Sequence, residues 1–509
     1  MHEQFITLKN RLAEINDLGK ASALLGWDQR TMMPAKGGRV RAEQTATLAK
    51  TIHRLATDPE LGHILEALRP YEQSLPYDSD EASLIRYARR EFDKATRVPT
   101  DLRMAMARAS AKGADIWVQA RKQSDFALFL PALEEIIELK HRYVACFPEY
   151  KDDPLGSVYD PLLDDFEPGM KTISVRRIFD DLKRDLVPLV GTLSERLGGV
   201  DTSFLHGHFP QPAQHQFVLS ILERFGFSHD SWRLDGTTHP FASSMGPTDI
   251  RLTTRYYEDF LNPCLFGSMH ECGHGLYENG VNLALERSPL CRGVSSALHE
   301  SQSRMWENLV GRSLPFWTYF YPRLQAAFPG QFDNLPLEAF YRAVNKVHPS
   351  YIRVEADEVT YALHIILRFE LEQEIFDGRL APKDLPEVWR ARFKDYLGLE
   401  LPDDSQGVLQ DIHWSQGLFG YFPTYQLGNI IASQIWDAAL ADLPDLYEQF
   451  ARGEFSPLRE WLRQRLHQHG KKFTPLETLA KVLDPAATGE AEIRVEPYIR
   501  YIKEKFLEM

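Results

Sequence analysis

Apolar residues recur at spacings of three and four along most of this chain, and that periodicity confines it to a helical fold. Phe5, Leu8, Leu12, Ile15 and Leu18 open the pattern as one stripe of a helix. Similar stripes cover 44–65, 81–92, 101–121 and 128–147, then 175–197, 212–225, 337–347 and 360–376, and last 385–397, 429–450 and 457–467. Pro and Gly mark the connections, as at Phe147-Pro148 and Glu167-Pro168-Gly169. No fixed-period repeat or long polar linker interrupts them. The reading is a mainly α fold: one two-lobed unit over 1–509.

One stretch departs from the pattern. Between Gly236 and Tyr257 the chain is rich in Thr, aromatics and turn residues. Met245-Gly246-Pro247-Thr248 reads as a turn between two short strands, with Ile250, Leu252 and Thr254 alternating against Arg251, Thr253 and Arg255. A small β-ribbon is expected here, with a role in binding substrate.

Charge and cysteine usage narrow the function by exclusion. The chain carries 58 Lys+Arg against 72 Asp+Glu, a formal net charge of −14. That balance argues against nucleic acid, which needs a basic footprint, and against an anionic membrane surface. Cys146, Cys264, Cys272 and Cys291 form no CxxC pair and no disulfide framework. The first twenty residues lack an apolar signal core, and no apolar run is long enough to span a bilayer. A cytoplasmic setting is the expectation.

The strongest chemical signal is His270-Glu271-Cys272-Gly273-His274, an HExxH inside a plausible helix over 262–278 that stops at Asn279-Gly280. On a helix the two histidines share a face one turn apart and can reach a single zinc ion. Glu271 is one residue off that face, placed to take a proton from water rather than to ligate. Leu265, Phe266, Met269, Leu276 and Tyr277 imply burial, and Gly267, Gly273 and Gly275 imply close backbone approach. Cys272 points away from the pair and reads as packing. A third ligand is required; Glu300, 26 residues after His274, and its neighbour His299 are the candidates.

Around this motif the chain resembles the carboxypeptidases of the Taq type, a family of thermostable zinc metallocarboxypeptidases. The resemblance rests on His239-Pro240-Phe241; Asp249-Ile250-Arg251-Leu252-Thr253; the HExxH; His299-Glu300-Ser301-Gln302; Ile352-Arg353-Val354-Glu355-Ala356-Asp357; and Gly407 to Trp414. Trp27 to Pro34, Tyr159 to Asp164 and Gly420 to Tyr425 extend it over nearly the whole chain. It implies a large two-lobed helical body with a deep substrate groove and a small sheet beside the zinc, a homodimer, and release of single C-terminal residues with broad specificity and poor action at proline. It implies His270, His274 and Glu300 as ligands of one Zn²⁺, which Co²⁺ can replace, and Glu271 as base.

Peptide hydrolysis also needs an oxyanion donor and, at a free C-terminus, a cationic anchor. His413 and Tyr421 are the expected oxyanion donors, with Tyr425 the rival tyrosine. Arg353 is the expected carboxylate anchor, oriented by Glu355 and Asp357, with Asp357 as a helix N-cap. Arg251 comes second, as a sensor of peptide length, and His239 can face the groove. Gln410 and Asp411 are expected to hold the site from behind. Because the substrate ends in an anion, the acidic residues are expected to lie away from the groove. A zinc oligopeptidase or dipeptidyl-type peptidase, and a non-catalytic peptide-binding protein, are the competing readings.

Overall fold

The computed structural model describes residues 2–509 and is mainly helical, with one three-stranded sheet. The helix Asn262–Gly280 is its centre: Cys264, Leu265, Phe266, Met269, Cys272, Leu276 and Tyr277 are all buried. It carries apolar groups most of the way round, as a helix walled in on several sides must.

Two glycines let its neighbours in. A Cβ on Gly273 would stand 2.4 Å from the Gln302 carbonyl oxygen and 2.6 Å from Ser303 Cα, so the helix Ser296–Arg304 packs backbone to backbone against it. A Cβ on Gly275 would meet the Trp232 ring at 2.4 Å, which seats the sheet on the next turn. Gly267 has nothing within 4 Å and needs no such room. Close approach thus explains two of the three glycines. A third helix, Phe422–Asp442, closes on Ser296–Arg304 through Gly428, whose Cβ would stand 2.7 Å from Glu300 Cβ.

The expected ribbon is present as β2 (Ala242–Gly246) and β3 (Asp249–Thr254), antiparallel, with Ala242 opposite Leu252 and a register shift near the turn. A further strand, β1 (Trp232–Gly236), pairs parallel to β3 and makes it the central strand. Its sequence, Trp-Arg-Leu-Asp-Gly, is too short to show alternation. The stripe over 44–65 divides into Gly38–Ala56 and Pro59–Ala67. Pro59 cannot continue a helix, and Asp58 caps the new one by accepting from the Glu60 N–H at 3.0 Å.

The buried apolar side chains form two hydrophobic clusters. The smaller joins Phe5, Leu8 and Leu12 to Leu61, Leu65 and Ile85, and rests on Leu285, Leu290 and Cys291. The larger holds nearly all other buried apolar side chains. A groove of about 1040 Å³ is lined from both, by Asn16 and Lys20 on one side and by the 262–280 and 296–304 helices on the other. No described helix is long and apolar enough to cross a membrane.

The contrast between the glycines is testable. Gly273→Ala should lower the urea midpoint of unfolding, at a cost of about 1–3 kcal/mol, because backbone must move. Gly267→Ala should leave it unchanged or raise stability by up to about 1 kcal/mol. Equal behaviour of the two variants would contradict the close approach.

Candidate metal centre

The 262–280 helix presents His270 and His274 one turn apart, and the 296–304 helix brings Glu300 across from them. Glu300 Oε2 lies 3.7 Å from His270 Nε2 and 3.6 Å from His274 Nε2. Ligand atoms about 2.0–2.1 Å from one ion at tetrahedral angles stand about 3.4 Å apart. Two imidazoles and a carboxylate at this spacing fit a divalent metal with a position left open.

Both imidazoles are held from behind, which turns Nε2 toward the common point. His270 Nδ1 donates to Glu307 Oε2 at 2.9 Å. His274 Nδ1 meets His299 Nδ1 at 2.7 Å, and His299 Nε2 meets Glu278 Oε1 at 2.9 Å. If His274 Nε2 is to be a free donor to metal, its proton is on Nδ1; His299 then accepts there and donates from Nε2 to Glu278. His299, the sequence's alternative ligand, is thus turned away from the ligand cluster and orients His274. Burial alone would raise the Glu307 and Glu278 carboxyls. Arg304 and His270 beside the first, and His299 beside the second, outweigh it and bring both down to about 2.

Arg304 ties the network together. Its Nε donates to Glu300 Oε1 at 2.7 Å and its Nη1 to Glu307 Oε2 at 3.3 Å. Glu307 follows Glu300 by seven residues and Arg304 by three, so helical spacing keeps the three on one face, although the Met305–Val310 segment is a π-helix. At the other end of the 296–304 helix, buried Glu167 accepts from Ser295 Oγ at 2.8 Å and from the Ala297 N–H at 3.0 Å. Glu271 is 7% exposed and lines the groove. Burial pushes its carboxyl up to about 7, opposed by His270 and by a hydrogen bond from the Ala242 N–H of β2.

The remaining expected site residues form a second layer behind two tyrosines. Tyr421 and Tyr425 line the groove; Arg353, His413 and Asp411 do not. Arg353 is 6% exposed and spends its fork on Asp411 Oδ1, at 3.1 Å from Nε and 2.8 Å from Nη2, while Nη1 donates to the Tyr361 hydroxyl at 2.9 Å. Its guanidinium stands 5.0 Å from the Tyr425 ring centre. Asp411 therefore orients Arg353, not Glu355 or Asp357. Asp357 instead accepts from the Val359 and Thr360 N–H groups, ahead of the helix Tyr361–Phe376. Arg368 answers the other Asp411 oxygen at 2.6 Å, and the two arginines hold Asp411 well below the usual carboxylate range despite its burial. Gln410 accepts from the Arg353 N–H at 2.8 Å. His413 Nε2 lies 3.3 Å from the Tyr425 hydroxyl, and burial beside the arginines pushes this imidazole down to about 4. Arg251 is away from the groove, paired with Asp249 and stacked 4.5 Å over Trp27. His239 is exposed and does not line the groove, although Pro240 and Phe241 do.

The family model for the carboxypeptidase Taq (M32) metallopeptidases matches residues 7–506. The chain belongs to this family. Thermostable carboxypeptidase 1 of Thermus thermophilus is 43% identical over 99% of this chain and 98% of its own length. Carboxypeptidase 1 of Bacillus subtilis is 38% identical over 97% and 96%. The crystal structure of an M32 carboxypeptidase from Deinococcus radiodurans R1 superposes with a TM-score of 0.94 at 37% identity, covering 99% of both chains. Trypanosoma cruzi metallocarboxypeptidase 1 superposes at 0.93, with 30% identity over 99% of this chain and 100% of that one. The protein is therefore a metallocarboxypeptidase, a hydrolase acting on peptides, and its family is one that uses a divalent metal.

Sequence reasoning on this M32 chain missed Glu307, Glu278, Arg304 and Glu167. Glu278 was legible in part, since it is one helical turn past His274 on the ligand face. Glu307 was legible in the same way, since it follows Glu300 by seven residues and Arg304 by three, on one helical face. The acidic residues are also not cleared from the groove: Glu91, Asp164, Asp165 and Glu278 line it. Most are answered locally, Asp164 by Arg90 and Lys94 at 2.8 Å each.

Glu307→Gln and His299→Ala should each weaken metal binding about 10–100-fold with helix content unchanged. Metal titration followed by calorimetry checks this, and native affinity in both would contradict the oriented imidazoles. Gly428→Ala should also lower affinity, by displacing Glu300; native affinity there would contradict the packing.

Proposed function

We propose that this enzyme is a zinc carboxypeptidase that releases single C-terminal amino acids from peptides with broad specificity, and acts poorly at proline. One observation carries the reading: a buried carboxylate, Glu271, faces a metallocarboxypeptidase groove beside His270, His274 and Glu300. A protein that only bound peptides would have no use for that base. His270 Nε2, His274 Nε2 and Glu300 Oε2 would hold the ion. When bound, zinc would supply Lewis-acid polarisation of water and of the scissile carbonyl.

Glu271 takes the proton of the attacking water on its carboxylate and returns it to the leaving amine. The Ala242 N–H fixes one rotamer of that carboxylate. Its elevated proton affinity suits a group that must both accept and donate near neutral pH. Tyr421 donates its phenolic hydrogen to the developing oxyanion. Tyr425, which lines the groove beside it, is the rival donor. His413 positions Tyr425 from behind.

The terminal carboxylate is placed at the Tyr421–Tyr425 end. Arg353 supplies the positive charge there, held by Asp411 and Gln410. A homodimer and a cytoplasmic setting, with Co²⁺ able to replace zinc, complete the proposal as properties of the family.

Glu271→Gln should retain bound zinc and lose turnover by about 10²–10⁴-fold; a smaller loss would remove Glu271 as base. Arg353→Ala should raise KM for free-carboxylate peptides and leave residual cleavage of amidated ones unaffected; equal effects on both would refute the anchor. Mass spectrometry of the products should show one residue lost at a time from free C-termini. Dipeptide release, or internal cleavage of amidated peptides, would favour an oligopeptidase.

A further inference from the structure

The groove contains more positive charge than the metallocarboxypeptidase chemistry described above uses. On the flank beyond His274 and His299, three cations line the same cavity: Lys20, Arg292 and Lys471. They come from three separate parts of the chain: the helix His2–Thr31, the loop before Ser296, and the segment after the 467–469 turn. Among the described residues Arg292 and Lys471 have no side-chain hydrogen bond or ion pair, and Lys20 has only the Ser244 carbonyl at 2.9 Å. The three lie within electrostatic reach of one another: Lys20 and Lys471 both feel Arg292 and Glu278.

The two carboxylates whose charge reaches them, Glu278 and Glu91, are already engaged. Glu278 Oε1 accepts from His299 Nε2 at 2.9 Å and from the Gly293 N–H at 2.8 Å. The other acids of this wall, Glu91, Asp164 and Asp165, are answered by Arg90 and Lys94. Three cations thus line a concave surface whose acids are already engaged elsewhere, and the arrangement costs free energy unless an anion enters. Burial first, and Arg292 beside it second, push the Lys471 amine down to about 7.

We propose that Lys20, Arg292 and Lys471 form a subsite for a side-chain carboxylate of the peptide, upstream of the bond that is cut. This rests on the carboxypeptidase reading above. The direction follows from the two ends of the groove. Arg353, Tyr421 and Tyr425 approach the ligands from the Glu300 side and take the C-terminus. The cation cluster approaches from the His274–His299–Glu278 side, where the preceding residues must run. Glu278 is one helical turn past His274, about 5.4 Å along the axis. An extended peptide advances about 3.3 Å per residue, so Asp or Glu two or three residues before the scissile bond meets the cluster. The ligand class is an acidic peptide; the residue removed can still be of many kinds.

The test compares pairs of peptides that share one C-terminal residue and differ only by Glu or Gln at each upstream position. For the native enzyme the Glu/Gln ratio of kcat/KM should reach about tenfold at one position, the size expected of a charge-assisted hydrogen bond. The ratio should fall toward one in Arg292→Ala and in Lys20→Met with Lys471→Met, through KM rather than kcat. Calorimetric binding of the same peptides to the Glu271→Gln protein should show the same ratio without turnover. A ratio near one in the native enzyme, or one unchanged in the variants, overturns the subsite. Equal loss on Glu and Gln peptides would mean that the cluster holds the terminal carboxylate, and overturns it too. Failure to release single residues from the Gln peptides would be a failure of the carboxypeptidase reading, which these outcomes keep separate.

Discussion

Three ligands drawn from two helices can meet at one point only if the helices pack closer than side chains permit. The contact between Gly273 and the backbone of Gln302 and Ser303 meets that condition. It sets the 296–304 helix against the 262–280 helix so that Glu300 stands opposite His270 and His274. Gly428 repeats the device from the far side, where the 422–442 helix presses on Glu300 itself. Gly275 does the same for the sheet, which brings the Ala242 N–H to Glu271. Glu271, the three candidate ligands and the strand edge are thus fixed by the absence of side chains at three positions. Each glycine weakens helix formation by about 1 kcal/mol, and the close packing offsets it.

A second constraint is electrostatic. Burying this many charges is tolerable only if each is paired and hydrogen-bonded. The groups behind the ligands obey this: Glu307 and Arg304, Glu278 and His299, Asp411 between Arg353 and Arg368. Each of these chains ends on a side chain that faces the groove, so satisfying the buried charges also orients the reactive groups. The contrast with Lys20, Arg292 and Lys471 follows from the same rule, since these face the groove without an internal answer.

How much of this was legible in the sequence differs by layer. The helical body, the ribbon and the two histidines follow from periodicity, turn residues and motif spacing, because those signals are local, whereas Glu300 over His299 came from the family resemblance. The expectation that Gly273 and Gly275 mark close approach holds, whereas Gly267 shows that a helix glycine alone does not imply it. What failed depends on contacts far apart in the chain. Arg353 was read with its neighbours Glu355 and Asp357, but Asp411, 58 residues on, takes it. Strand β1 is too short to announce itself, and Pro59 divides a stripe whose apolar spacing runs on unbroken. Glu167 was read only as part of a Pro-Gly connection, although it holds the start of the helix that bears Glu300.

The geometry rests most on His270, His274 and Glu300 as the complete protein ligand set, with His299 and Cys272 outside it. X-ray absorption at the zinc edge of the loaded protein tests this most directly. The expected spectrum fits two imidazole nitrogens and carboxylate and water oxygens at about 2.0–2.2 Å. A sulfur at about 2.3 Å would bring in Cys272, and a third imidazole would bring in His299. Either result would contradict the site.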